Sequence, residues 1–289
     1  MSTPVLVAVD GSESAREAVV WAAAEARRRS TWLHVVTVYP WPVTGYPDTI
    51  ATGSQLLAAL RGQAEATLRE TVETTGESAP DLLVRTTALE GDVVANLRTA
   101  SQDAAVLVLG SRGLGGFAGM LLGSTAVALA AHGSCPVVVV RGEATGSRVV
   151  VGVDGGTTDD PALAFAFEHA AATGGAVVAA HAWTDTVLDA AYTAGYAALD
   201  WGLLAKNADA LLTARVAPWR VKFPEVPVHL VVARARPTRL LLEQAADAAL
   251  VVVGSRGRGG FTGLVLGSTS QALIRHSPCP VAVVRADAD

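Results

Sequence analysis

The sequence restates itself. VAVDG, ending at Gly11, returns as VGVDG, ending at Gly155, and GSRGLGGFAGMLLGST, beginning at Gly110, returns as GSRGRGGFTGLVLGST, beginning at Gly254. The offset is 144 residues in both cases (154 − 10 and 254 − 110), and the pairs Cys135/Cys279 and His132/His276 keep it. A constant offset means no net insertion between these landmarks, so the halves are duplicated domains rather than coincidental motifs. GEATGS, Gly142 to Ser147, has linker composition between the last strand-like segment of one half and the first of the next. The expected domains are therefore residues 1–143 and 147–289.

Within the first half, short Val-rich apolar runs alternate with helical patterns. Strands are expected near Val5–Val9, Trp32–Tyr39, Leu82–Ala88, Ala105–Leu109 and Val137–Arg141, and helices near Glu13–Arg29, Gln55–Thr75, Val93–Ser101 and Thr125–His132. Strands that are continuously apolar rather than alternating belong to parallel sheets covered by helices on both faces. The expectation is an α/β chain of two doubly wound parallel five-stranded sheets in tandem.

Bulk properties narrow the function classes. At 289 residues the chain is about twice a usual domain of roughly 150. It is 51% hydrophobic and 17% charged, which excludes wholesale disorder. Its apolar runs are broken by Gly, Asp or Arg well short of the roughly 20 residues that span a bilayer, so no membrane partner is expected. A formal net charge of −5 argues against a nucleic-acid partner. Arg27, Arg28 and Arg29 read as the solvated end of a helix. Met1 leads directly into a strand-like run without the parts of a signal peptide, and there are only two cysteines, so a cytoplasmic location is expected.

Chemistry should sit where an open parallel sheet reverses its strand order, outside the carboxyl ends of the strands. Asp10 ends the first strand and Gly110 the fourth; Asp154 and Gly254 do the same in the second half. From Gly110 the loop runs through Gly113 and nine further residues to Gly123, Ser124 and Thr125 at the start of a helix. Glycines let backbone N–H groups approach an anion, and a helix N-terminus adds partial positive charge. The alternative is that Ser124 caps a helix and the glycines turn the chain. No Walker-type Gly-Lys-Ser/Thr ending and no dinucleotide-type glycine triplet are present, so backbone and hydroxyls would hold the phosphates. Arg112 and Arg256 are candidates for added charge, or plain surface arginines.

At these residues the sequence resembles the universal stress protein family, whose ATP-binding members carry Gly-x2-Gly-x9-Gly-Ser/Thr after the fourth strand. The resemblance covers essentially the whole chain, twice, and implies a Rossmann-like strand order of 3-2-1-4-5 in each half. It implies ATP in a site formed by Asp10, Val38, Leu109, Gly110, Gly113, Gly123, Ser124 and Thr125, and in a second formed by Asp154, Ala182, Val253, Gly254, Gly257, Gly267, Ser268 and Thr269. The adjoining Ala8, Val9, Gly152 and Val153 and the arginines Arg112 and Arg256 complete the candidate sites, with Mg2+ the expected companion of ATP. Each aspartate would accept from ribose hydroxyls or orient magnesium; the sequence leaves both open. Gly156 in place of Ser12 and Ala235 in place of Gly91 make the second site the expected weaker one.

The resemblance implies pairing through the fifth strands, and Val137–Val140 and Val281–Val284 would otherwise be bare apolar edges. An intramolecular pseudo-dimer is expected, with further homodimerisation open. In that arrangement Cys135 and Cys279 lie beyond disulfide reach and read as buried structural thiols. His132 and His276 read as caps of helix C-termini, and no metal site is assigned. The loops Pro40–Ile50 and Thr184–Gly195 differ and are candidate ligand covers or plain connections.

No nucleophile, base and orienting acid can be placed at the crevice, so no catalytic residue is assigned. The expected function is a regulatory module of the stress response, binding one adenine nucleotide per domain and acting through conformation or a regulatory protein partner. A slow ATPase or nucleotidyl transferase, and a nucleotide-free scaffold, are the alternatives.

Overall fold

The computed structural model of the chain describes residues 2–40, 50–113, 123–156, 159–183, 201–257 and 266–285. Contacts divide the chain into two compact units, Met1–Arg141 and Gly142–Asp289.

The first unit contains strands β1 (Val5–Ala8), β2 (Leu33–Tyr39), β3 (Val84–Glu90), β4 (Val106–Gly110) and β5 (Val137–Val140). Neighbouring strands are all parallel, in the order β3-β2-β1-β4-β5. Helices α1 (Glu13–Arg28), α2 (Ile50–Ser78), α3 (Val93–Ala100) and α4 (Ser124–His132) make the crossovers. The second unit repeats this with β6 (Arg148–Gly152), β7 (Val177–Ala182), β8 (Val228–Ala233), β9 (Ala248–Gly254) and β10 (Val281–Val284), ordered β8-β7-β6-β9-β10. Among its described residues, the helices are α5 (Asp159–Thr173), α6 (Trp201–Lys222), α7 (Pro237–Ala245) and α8 (Ser268–His276).

The strand composition explains the layering. Val5, Leu6 and Val7 of β1 and Val149, Val150 and Val151 of β6 are all fully buried, so successive residues on both faces meet helices. Each such side chain contributes about 1.5–3 kcal/mol on leaving water. In the first unit α1 packs on α2 and α3 on α4, one pair per face. β3 is less buried and carries Arg85, Thr86 and Thr87 in its middle, as befits a strand at the margin of a sheet.

Two sequence readings need correction. Arg28 and Arg29 are not simply solvated: they pair at 2.9 and 2.6 Å with Glu25, which lies on α1's packed side and is 2% exposed. The expected α2 is longer than its periodic segment, because polar residues after Gln55–Thr75 continue the helix to Ser78 without a proline until Pro80. Neither cysteine is in a disulfide; Cys279 is buried, Cys135 partly so, and burial pushes the Cys135 thiol up to about 12.

Among the described residues, no helix is long and apolar enough to cross a membrane.

Candidate functional site at the strand switch points

β1 pairs with β2 on one side and β4 on the other, so the chain direction of the crossovers reverses between β1 and β4. The carboxyl ends of those strands stand side by side, and each sheet therefore opens a crevice where sequence placed the acid and the glycine loop.

In the first unit, β1 runs out through Val9, whose N–H is held by Val36 O at 2.9 Å, to Asp10 and Gly11. Gly11 turns at φ +87, a region that disfavours any side chain, and so redirects the chain into α1. Ser12 N donates to Asp10 Oδ1 at 3.0 Å, and Ser12 Oγ caps α1 by accepting from Ala15 N at 3.2 Å. The buried Ser14, two residues further on, reaches the glycine loop. Its hydroxyl donates to Arg112 O and accepts from Arg112 N at 3.3 Å.

The glycines of the loop answer close approaches. A Cβ on Gly110 would fall 2.6 Å from Ser14 O, and one on Gly113 would fall 2.7 Å from Asp10 Oδ2. Gly123 N donates to Ser111 O at 3.0 Å, drawing the far end of the loop back to its start. Residues 114–122 and 258–265 lie outside the described residues, as do 41–49 and 184–200, which include most of both candidate cover loops.

α4 begins at Ser124, with Gly123 as its N-cap and no side-chain capping bond. The capping reading of Ser124 is thus overturned: the hydroxyl sits on the first helical residue, exposed. Ser268 stands in the same place on α8 after Gly267, and neither helix has an acid in its first turn. Among the described residues, each helix start has no side-chain cap, no acid in its first turn and an exposed hydroxyl at its first residue, and such an end is suited to an anion.

The remaining residues of the implied first site cluster around this core. Ala8, Val9 and Asp10 follow one another at the end of β1; Leu109 and Gly110 end β4; Val38 lies near the end of β2, paired in register with Leu89. Arg112 is exposed at the loop start.

The second unit reproduces this frame. Gly156 N takes the role of Ser12 N, donating to Asp154 Oδ1 at 2.7 Å. Asp154 Oδ2 contacts the space beside Gly257, and Gly267 N donates to Ser255 O at 2.8 Å. Gly152 and Val153 precede Asp154, Val253 and Gly254 end β9, Ala182 ends β7, and Thr269 follows Ser268 on α8. Arg256 is exposed.

Three side chains at this site escaped sequence reasoning. The buried His181 lies with Nδ1 2.7 Å from Val153 O; since a carbonyl only accepts, Nδ1 carries the proton. Asp159, 2% exposed, accepts from Asp154 N at 3.0 Å and Gly155 N at 2.7 Å. Arg215 donates to Gly155 O at 3.0 Å and stands 3.6 Å from Asp159. Burial raises the Asp159 carboxyl above the usual carboxylate range; Asp154's charge adds to the rise, while the two amides and Arg215 oppose it. The signal available in sequence was a paired replacement: at the repeat offset, Asp159 stands for Ala15 and Arg215 for Thr71.

Two concavities accompany the first unit. One of about 450 Å³, lined by Arg27, Thr31, Trp32 and Asp81, contains no candidate site residue. The other, about 120 Å³ between α1 and α2, borders the acid loop at Gly11 and Ser12.

The universal stress protein family profile matches residues 1–141 and again residues 146–285. The chain belongs to the universal stress protein family. It is 38% identical over 293 residues to a universal stress protein of Mycolicibacterium smegmatis, covering 97% of this chain and 96% of the relative. It is 36% identical over 305 residues to one from Mycobacterium tuberculosis, covering 99% and 96%. Among solved structures, a universal stress protein from Archaeoglobus fulgidus superposes with a TM-score of 0.70 at 23% identity, over 99% of this chain and 97% of that one; this agreement is one of fold. A tandem pair of Usp domains is thus the organisation of the whole chain.

Proposed function

We propose that each unit binds one adenine nucleotide, ATP with Mg2+, and that the protein acts as a regulatory module of the stress response, through conformation or a protein partner. The observation that carries this reading is the meeting of an aspartate carboxylate with a glycine of the loop, Asp10 with Gly113 and Asp154 with Gly257, beside a helix N-terminus free of acid.

The residues fit such a ligand. The backbone of Gly110–Gly113 and the first turn of α4, with the Ser124 and Thr125 hydroxyls, offer donors for phosphate oxygens; Gly254–Gly257, Ser268 and Thr269 do so in the second unit. Arg112 and Arg256, both exposed, supply positive charge at the loop. Ala8, Val9, Val38 and Leu109 give apolar surface for the base, as do Gly152, Val153, Ala182 and Val253. Asp10 and Asp154 accept from ribose hydroxyls or hold Mg2+. Bound Mg2+ would neutralise phosphate charge. The functional site needs binding and no catalytic base, and a cytoplasmic setting suits cysteines, Cys135 and Cys279, that form no disulfide.

The test is to purify the protein, denature it, and identify and count any released nucleotide, then follow added ATP for turnover. Stoichiometric adenine nucleotide, lost in Asp10→Ala with Asp154→Ala and without turnover, supports the reading. Rapid ADP formation abolished by the same pair would instead establish an ATPase. Absence of any binding would leave a scaffold.

A further inference from the structure

The loop carrying Asp154 is held by side chains from outside it. Asp159, on the first turn of α5, takes the N–H groups of both Asp154 and Gly155, and Arg215 of α6 takes the Gly155 carbonyl. Arg215 stands 3.6 Å from Asp159 and 4.0 Å from Asp160, so the buried carboxylate is paired as well as hydrogen-bonded. Ala15 and Thr71 occupy the equivalent positions in the first unit and can supply neither charge. There the same two residues border the cavity of about 120 Å³ between α1 and α2.

We infer that Asp159 and Arg215 form a brace that presets the Asp154 loop and slows release of nucleotide from the second unit relative to the first. The inference rests on the nucleotide reading above. A loop ordered before the ligand arrives spares the complex that ordering cost, and differences between closely related sites fall mainly in the dissociation rate. Three hydrogen bonds to a carboxylate or guanidinium, one partner 2% exposed, are of the charge-assisted class that holds geometry. The brace works against the sequence expectation that Gly156 and Ala235 weaken the second site. Asp159 and Arg215 are positioning residues: they act on Asp154 and Gly155.

The experiment uses the full chain, with Gly113→Val or Gly257→Val silencing one unit, and follows release of a fluorescent ATP analogue from the other. Asp159→Ala with Arg215→Thr installs the first unit's residues and removes both charges together, so no unpaired buried charge remains to unfold the unit. Release from the second unit is expected to speed up about tenfold. The reciprocal Ala15→Asp with Thr71→Arg, for which the cavity gives room, is expected to slow release from the first unit by a similar factor. In parallel, amide exchange of Asp154 and Gly155 in the nucleotide-free chain should accelerate in the first double variant while β6 is unchanged. Unchanged exchange overturns the brace. Faster exchange with unchanged release in both swaps overturns its link to nucleotide and leaves the nucleotide reading standing. No binding to either unit of the unsubstituted chain overturns that reading and the inference with it.

Discussion

Asp10 Oδ2 lies 2.7 Å from the point that a Cβ on Gly113 would occupy. The parallel pairing of β1 with β4 makes that contact, and it leaves no room for a methyl group unless the carboxylate turns away from its bond to Ser12 N. Gly113→Ala is therefore expected to lower ATP affinity of the first unit about tenfold or more, with little loss of stability because the residue is partly exposed. Gly257→Ala should do the same to the second unit. Titration calorimetry beside thermal unfolding separates the two effects; a variant that binds like the parent would sink the idea.

Ser14 is the strut between α1 and the glycine loop, bonded to both backbone groups of Arg112. Ser14→Ala strands an N–H and a carbonyl in a part-buried place and should destabilise the first unit by about 1–3 kcal/mol, read from urea unfolding.

Gly91 sits at φ +118, whereas Ala235, its repeat equivalent, is not among the described residues with positive φ. The sequence difference thus marks a local change of backbone rather than a simple loss. Gly91→Ala should cost about 1–2 kcal/mol, while Ala235→Gly should cost about 0.4–1 kcal/mol through the unfolded chain. Equal costs in denaturant titration would contradict this.

Burial, and then the Arg85 charge, holds His34 below the usual histidine range; its Nε2 lies 2.8 Å from Thr87 Oγ1. The unfolded chain consequently binds more protons than the folded one between the depressed pKa and about 6.5. Stability should rise with pH across that window and fall as the solution is acidified through it. Denaturant midpoints between pH 5 and 7.5 should show this slope, and His34→Gln should flatten it.

Much of this was legible in the chain. Continuous apolar runs announced parallel strands buried on both faces, and the spacing of Asp10, Gly110, Gly113 and Gly123 announced an acid at the end of β1 facing a glycine-rich turn after β4. The roles of Ser14, His181 and Arg215 were not legible, because each acts on a backbone group distant in sequence, and Asp159, though close in sequence to the amides it holds, showed in the chain only as a replacement of Ala15 at the repeat offset. Glu25 was hidden for a related reason: a carboxylate among arginines on a helix reads as solvated until packing shows which face is covered.

By itself, the sequence determined the duplication, the class of fold and the residue types of two matching crevices, since hydrophobic period, turn chemistry and glycine spacing are local properties repeated at one offset. Only the tertiary structure decided that the two acid loops are held differently. Ala15 and Thr71 lie 56 residues apart, as do Asp159 and Arg215, and only the packing of α1 on α2 and of α5 on α6 brings each pair together beside an acid loop. In one unit that meeting leaves a cavity, and in the other it buries a carboxylate against the loop beside a partly exposed guanidinium, because a buried charge persists only where partners surround it.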